Sequence, residues 1–77
     1  MSRGLNNWTY NDVARFLRAR GFEVKRQHGS HHYFAGIVDG KNKVVTVAFH
    51  GNKPIDIRDI KSMVRQSCIS QEEWAAG

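Results

Sequence analysis

Phe22-Glu23-Val24-Lys25-Arg26-Gln27-His28-Gly29-Ser30-His31-His32-Tyr33-Phe34 reads as two strands folded back on a tight turn. Residues 22–26 alternate apolar and polar side chains, the pattern of a strand with one buried face, and Gly29-Ser30 is turn chemistry. His31 to Val38 continues as the second strand, with Gly36 expected to form a bulge or weak point. Asp39-Gly40-Lys41-Asn42 is a hairpin turn, because Asp-Gly accepts positive φ. Lys43 to Phe49 is the third strand, rich in the β-branched residues Val44, Val45, Thr46 and Val47.

Helical patterns flank this meander. Thr9 caps a helix over Tyr10 to Arg20, with Asp12 completing a variant of the capping box and Gly21 supplying the left-handed residue that ends it. Val13, Phe16 and Leu17 are its buried stripe. After the loop His50-Gly51-Asn52-Lys53-Pro54, Asp56 caps a second helix to about Gln66. Its expected buried stripe is Ile57, Ile60 and Val64 with Met63 beside them, while Arg58, Lys61 and Arg65 share another face. Ser70-Gln71-Glu72-Glu73 is a capping box opening a last short turn anchored by Trp74. The chain is read as one domain over residues 1–77, with residues 1–8 a loose arm. The fold expected is α+β in the order α-β-β-β-α, a three-stranded antiparallel sheet with helices on one face. That is the order of a double-stranded-RNA-binding domain.

The 77 residues carry 12 Lys and Arg against 7 Asp and Glu, a formal charge of +5. The excess is local. Val13 to Lys53 holds eight basic residues and two acidic ones, whereas the tail after Gln66 carries only Glu72 and Glu73. Such a balance favours polyanionic partners, or else an acidic protein partner, and makes binding fall with salt. A lone cysteine, Cys68, excludes an internal disulfide and fits a reducing cytoplasm; among apolar helix-end residues it reads as a small core filler. No apolar run reaches the ~18 residues of a membrane span.

Within this frame the histidines stand out, since imidazole both takes and gives a proton near neutral pH. Strand alternation puts His31 and Tyr33 on one face, and His32 and Phe34 on the other. With Phe34 toward the helices, His31 faces outward as candidate general base on a ribose 2′-hydroxyl or general acid on the leaving 5′-oxygen. His32 reads as a packed, hydrogen-bonded residue. A one-residue slip of register exchanges the two, so His32 stays open as the alternative catalytic group. His28, His31, His32 and His50 do not have the spacing of a zinc site; no metal and no cofactor is expected. Gly29 and Ser30 offer backbone N–H groups to phosphate. Lys25, Arg26, Lys53, Arg58, Lys61 and Arg65 are candidate phosphate contacts or plain solvated charges. Lys53 is favoured because it precedes a helix N-terminus. Tyr33 offers a stacking surface for a base. Trp8 and Trp74 read as core residues.

Arg26-Gln27-His28-Gly29-Ser30-His31-His32-Tyr33-Phe34, then Val45-Thr46-Val47, His50-Gly51-Asn52-Lys53, Val64-Arg65-Gln66 and Ile69-Ser70-Gln71-Glu72-Glu73-Trp74 together resemble the HicA family of toxins. The similarity runs from about Thr9 to Trp74. It implies a double-stranded-RNA-binding-like fold, ribosome-independent cleavage of mRNA through one catalytic histidine, and inhibition by a HicB-like antitoxin. That histidine follows the Gly-Ser pair and maps onto His31, with His32 the alternative. The chain departs from the family in its longer N-terminal arm, in the 35–40 hairpin, in Ala48 where proline is common, and in Ser67-Cys68 in place of Ala-Gly. The rival reading from a different class is a non-enzymatic RNA-binding module of the same fold.

Overall fold

The first helix, α1 (Tyr10–Ala19), is set by its two ends. The Thr9 hydroxyl accepts from the Asp12 N–H, and the Asp12 carboxylate accepts from the Thr9 N–H at 2.9 Å, a reciprocal box that satisfies otherwise orphaned donors. At the other end Gly21, with φ +85°, turns the chain left-handed. The Gly21 N–H then reaches the Arg18 carbonyl and the Phe22 N–H the Leu17 carbonyl, closing the helix in a Schellman motif. Tyr10, Val13, Ala14 and Leu17 recur on one face and are buried, with Phe16 beside them.

The computed structural model describes residues 4–77. After α1 come β1 (Glu23–His28), β2 (His31–Val38) and β3 (Lys41–Ala48), then α2 (Ile57–Ser67) and α3 (Gln71–Ala76). The sheet is antiparallel in the order β1-β2-β3, so the α+β arrangement of helix, three-stranded meander and closing helices is the observed one. Both hairpins turn in two residues. Gly29 takes φ +60° at the first central position, and Asp39 and Gly40 both take positive φ, the mirror-image turns that match strand twist. Lys41 and Asn42, expected in the second turn, belong to β3.

Phe34, Val45 and Val47 lie on the helix-facing side of the sheet and have no exposed surface. They join Val13, Leu17, Ile60 and Met63 in one core with both tryptophans. Phe16 stacks on Trp74 at 4.2 Å between ring centroids, and Trp8 packs edge-on to Phe16 at 5.8 Å. The buried Ser67 hydroxyl donates to the Val64 carbonyl and accepts from Trp74 Nε1 and the Ile69 N–H, leaving no orphaned polar atom there. At the sheet margin the Thr46 N–H donates to Gln66 Oε1 at 2.9 Å, tying α2 to the outer edge of β3. Among the described residues no helix is long and apolar enough to cross a membrane.

Four expectations are corrected. Of the loose arm expected over residues 1–8, residues 1–3 lie outside the described residues; Leu5 and Trp8 are buried, and the Ile55 N–H donates to the Trp8 carbonyl at 2.6 Å. Two large apolar side chains in this short segment gain more from the core than from water. The bulge falls in β1 at Lys25, between Val24 and Arg26, and not at Gly36. Gly36 is instead where the Phe22 ring lies against the strand, at a distance no side chain would allow. Ile57 is substantially exposed, because the first turn of α2 overhangs the sheet and the burial begins at Ile60. Cys68 is exposed, because it closes α2 with φ +59° and the left-handed turn carries its side chain out of the core.

Candidate nucleic-acid interface

Pairing across the strands fixes which side chains share the open face. His28 lies opposite His31, and Arg26 opposite Tyr33. On the other flank His31 lies opposite Ala48, and Tyr33 opposite Thr46. Since directly opposed residues project to the same side, His28, His31, Arg26 and Tyr33 form a four-cornered group on the face away from the core. His28, His31 and Arg26 are exposed, and Tyr33 is half-buried. Further along the same face lie Ala35, Val44 and Ile37, the last 66% exposed, so the basic and imidazole-bearing end gives way to an apolar one.

His31 stands at a junction. It lines a shallow groove of about 280 Å³ between the sheet and α2, together with Thr46, Ala48, Asp59, Ser62 and Gln66. Arg58, Lys61 and Arg65 follow one step around α2 from these residues and are all exposed. The groove thus has a mixed lining, with Ile55 and Met63 completing it as apolar members, and the basic face of α2 lies beside it rather than in it.

His32 points the other way. Its Nδ1 is 2.6 Å from the Tyr10 hydroxyl, its ring meets Tyr10 edge-on at 5.0 Å, and it lies parallel to Phe49 with centroids 5.8 Å apart. Burial pushes the Tyr10 phenol above its ordinary pKa, with Arg18 opposing the shift. This cluster has a second attachment: the Phe49 N–H donates to the Ser30 carbonyl at 2.7 Å. The Gly29-Ser30 turn is therefore held by the end of β3 from below.

The remaining sequence candidates fall in different places. Lys25 sits at the β1 bulge, exposed, with its ammonium 3.2 Å from Glu23. Arg58 pairs with Asp56 at 3.3 Å. The Arg58 side chain and N–H together hold the Asp56 carboxyl below its usual pKa. That carboxylate already occupies the N-terminus of α2, where an anion was expected to meet Lys53; Lys53 itself is exposed in the preceding loop. Gly29 and Ser30 are exposed at the hairpin tip, and Lys61 on the outer side of α2. Among the described residues no three His, Cys, Asp or Glu side chains gather as a metal-ligand set.

Sequence reasoning overlooked His28 except as a metal candidate, and overlooked the groove residues Ser62 and Gln66. The first was readable: a two-residue turn between His28 and His31 makes them a closing pair. The second was not, because nothing local shows where α2 crosses the sheet edge.

Neither the curated proteins nor the solved structures yielded a match to this chain. A family model described as the HicA toxin of bacterial toxin-antitoxin systems matches residues 10–69, from the first residue of α1 to just beyond α2. That span contains the whole sheet, the His28–His31 turn and the groove, and it makes up most of the chain: the protein belongs to the HicA toxin family, the toxin side of a toxin–antitoxin system.

Proposed function

We propose that this toxin is a ribosome-independent endoribonuclease that cleaves mRNA in the cytoplasm, with His31 as its catalytic histidine and no metal. The observation that carries the reading is the position of His31: exposed on the open sheet face, beside Arg26 and Tyr33 and at the mouth of the groove. A phosphate approaching this face meets Arg26, the backbone of the Gly29-Ser30 turn and an imidazole within reach of a ribose hydroxyl. Lys25, Lys53, Arg58 and Lys61 supply the wider basic surface along which an RNA strand is held. Tyr33 offers a flat surface for a base. The product is a 2′,3′-cyclic phosphate with a 5′-hydroxyl on the downstream fragment.

A HicB-like antitoxin is the expected protein partner. The open face suits one that sets acidic groups over His28, His31 and Arg26 and apolar side chains over Val44 and Ile37. Covering that face blocks RNA and proton exchange together.

Induced expression with total RNA examined tests the function. Wild type is expected to arrest growth and deplete message. His31→Ala, shown by circular dichroism to be folded, is expected to do neither. Purified wild type is expected to cleave RNA undiminished in chelator. Arrest and cleavage persisting in folded His31→Ala refute the assignment, and loss confined to His32→Ala moves it to His32. RNA bound but uncut by wild type leaves a binding module.

A further inference from the structure

In-line transphosphorylation has two proton transfers on opposite sides of one phosphorus. A proton leaves the 2′-hydroxyl as its oxygen attacks, and a proton reaches the 5′-oxygen as it departs. A single imidazole cannot attend both sides of the phosphorus at once. We propose that His28 is the second catalytic residue, paired with His31 across the two-residue turn; this rests on the reading of His31 given above.

His28 and His31 are the closing pair of the β1–β2 hairpin and are both exposed. Opposed residues of an antiparallel pair have Cβ atoms about 4.5–5.5 Å apart on the same face. Two imidazoles projecting from such a pair stand on either side of a phosphate placed over the turn. The bulge at Lys25 lies further back, so the Arg26–Tyr33 and His28–His31 pairs keep plain register. Arg26 therefore sits two residues behind His28 on the same face, placed to meet the charge that builds on the equatorial oxygens. The turn itself cannot drift, since the Phe49 N–H holds the Ser30 carbonyl.

The step balances within this pair. The neutral imidazole accepts the 2′-hydroxyl proton as the bond from that oxygen to phosphorus forms. The bond from phosphorus to the 5′-oxygen breaks, and the charged imidazole gives that oxygen its proton. The products are the cyclic phosphate and a 5′-hydroxyl, and the two histidines end with exchanged protonation states that water resets.

Such a pair needs one ring neutral and one charged, so the rate peaks between two limbs within about pH 5–8. Other charged or titratable groups face the pair: Arg26 on β1, Tyr33 on β2, and Asp59 across the groove on α2. His50 and Lys53 belong to the loop after β3 that the Phe49 bond draws to the turn. His50→Ala is the control for the imidazole carried by that loop.

The test is single-turnover cleavage of an RNA oligonucleotide by the full chain across that pH range, for wild type, His28→Ala, His28→Gln, His31→Ala and His50→Ala. Wild type is expected to give a bell. Both His28 variants are expected to lose about 10²–10⁴-fold at the optimum and to lose one limb, with RNA affinity and thermal unfolding unchanged. His28 variants with wild-type rate and a complete bell overturn the proposal, while the inactivity of His31→Ala still upholds the earlier reading. A limb lost in His50→Ala and kept in His28→Ala also overturns it. Full activity in His31→Ala removes the reading on which both rest.

Discussion

Gly36→Ala is a perturbation whose cost the structure sets. Gly36 lies on the core side of β2, and a Cβ built there meets the Phe22 ring at 2.6 Å from Cγ, 2.7 Å from Cδ1 and 2.9 Å from Cδ2. Ordinary contact begins at 3.4 Å, and Phe22 is completely buried, so the ring has to move into occupied space. Overpacking of this kind costs about 1–3 kcal/mol. The Gly36 backbone is outside the left-handed region, so alanine is not strained there and gains about 0.4–1 kcal/mol by restricting the unfolded chain. The clash outweighs that gain, and the net expectation is a loss of about 1–2 kcal/mol, a fall in Tm of about 4–8 °C per kcal/mol in a chain of this size. Denaturant unfolding followed by tryptophan fluorescence measures it well, since Trp8 and Trp74 both become exposed. The decisive comparison adds Phe22→Leu: with the ring gone, Gly36→Ala is expected to lose most of its cost. A Gly36→Ala protein as stable as wild type, or one whose loss is the same in the Phe22→Leu background, refutes the contact as the reason for glycine.

Tyr10→Phe removes the hydroxyl bonded to His32 Nδ1 and is expected to lower stability by about 0.5–1.5 kcal/mol by thermal melting, with the cleavage pH profile unmoved. Cys68→Gly relieves a left-handed non-glycine residue at the end of α2 and is expected to raise stability by about 0.5–1 kcal/mol in the same assay. The Asp56 carboxyl is held below its usual pKa chiefly by the Arg58 side chain, so its contribution is complete above the ordinary aspartate range of about 4 and lost as pH falls through the lowered folded value. Acid titration of unfolding stability is expected to show that loss in wild type and less of it in Asp56→Asn. Arg26→Ala is expected to weaken RNA binding and to reduce the slope of log affinity against log salt by about one.

Most of the architecture was legible because its signals are local. The Asp-Gly and Gly-Ser turns, the Thr9–Asp12 box and the Gly21 stop each act within a few residues, and each stands where the pattern put it. The outward face of His31 followed from Phe34 by alternation alone. What was misread depends on contacts distant in sequence. Trp8 reads as a core residue, but Leu5 and the segment around it look like a loose arm until α3 and Ile55 come to meet them. Gly36 looks like a flaw in a strand until Phe22, fourteen residues earlier, rests on it. Cys68 looks apolar and therefore internal, but its backbone conformation, not its hydrophobicity, decides where it points. The groove beside His31 needs the crossing of α2 over the edge of β3, which no spacing encodes.

The Gln66 side chain on that edge has a consequence for self-association. An open three-stranded sheet has two margins, and each unpaired N–H on a margin is a template for a strand from another molecule. On β3 the Thr46 N–H is already taken by Gln66 Oε1. On β1 the bulge at Lys25 breaks the regular spacing in a strand that also carries Glu23, Lys25 and Arg26. Neither margin offers the uninterrupted ladder that fibrous growth requires, so copies accumulating without their antitoxin are kept from adding edge to edge.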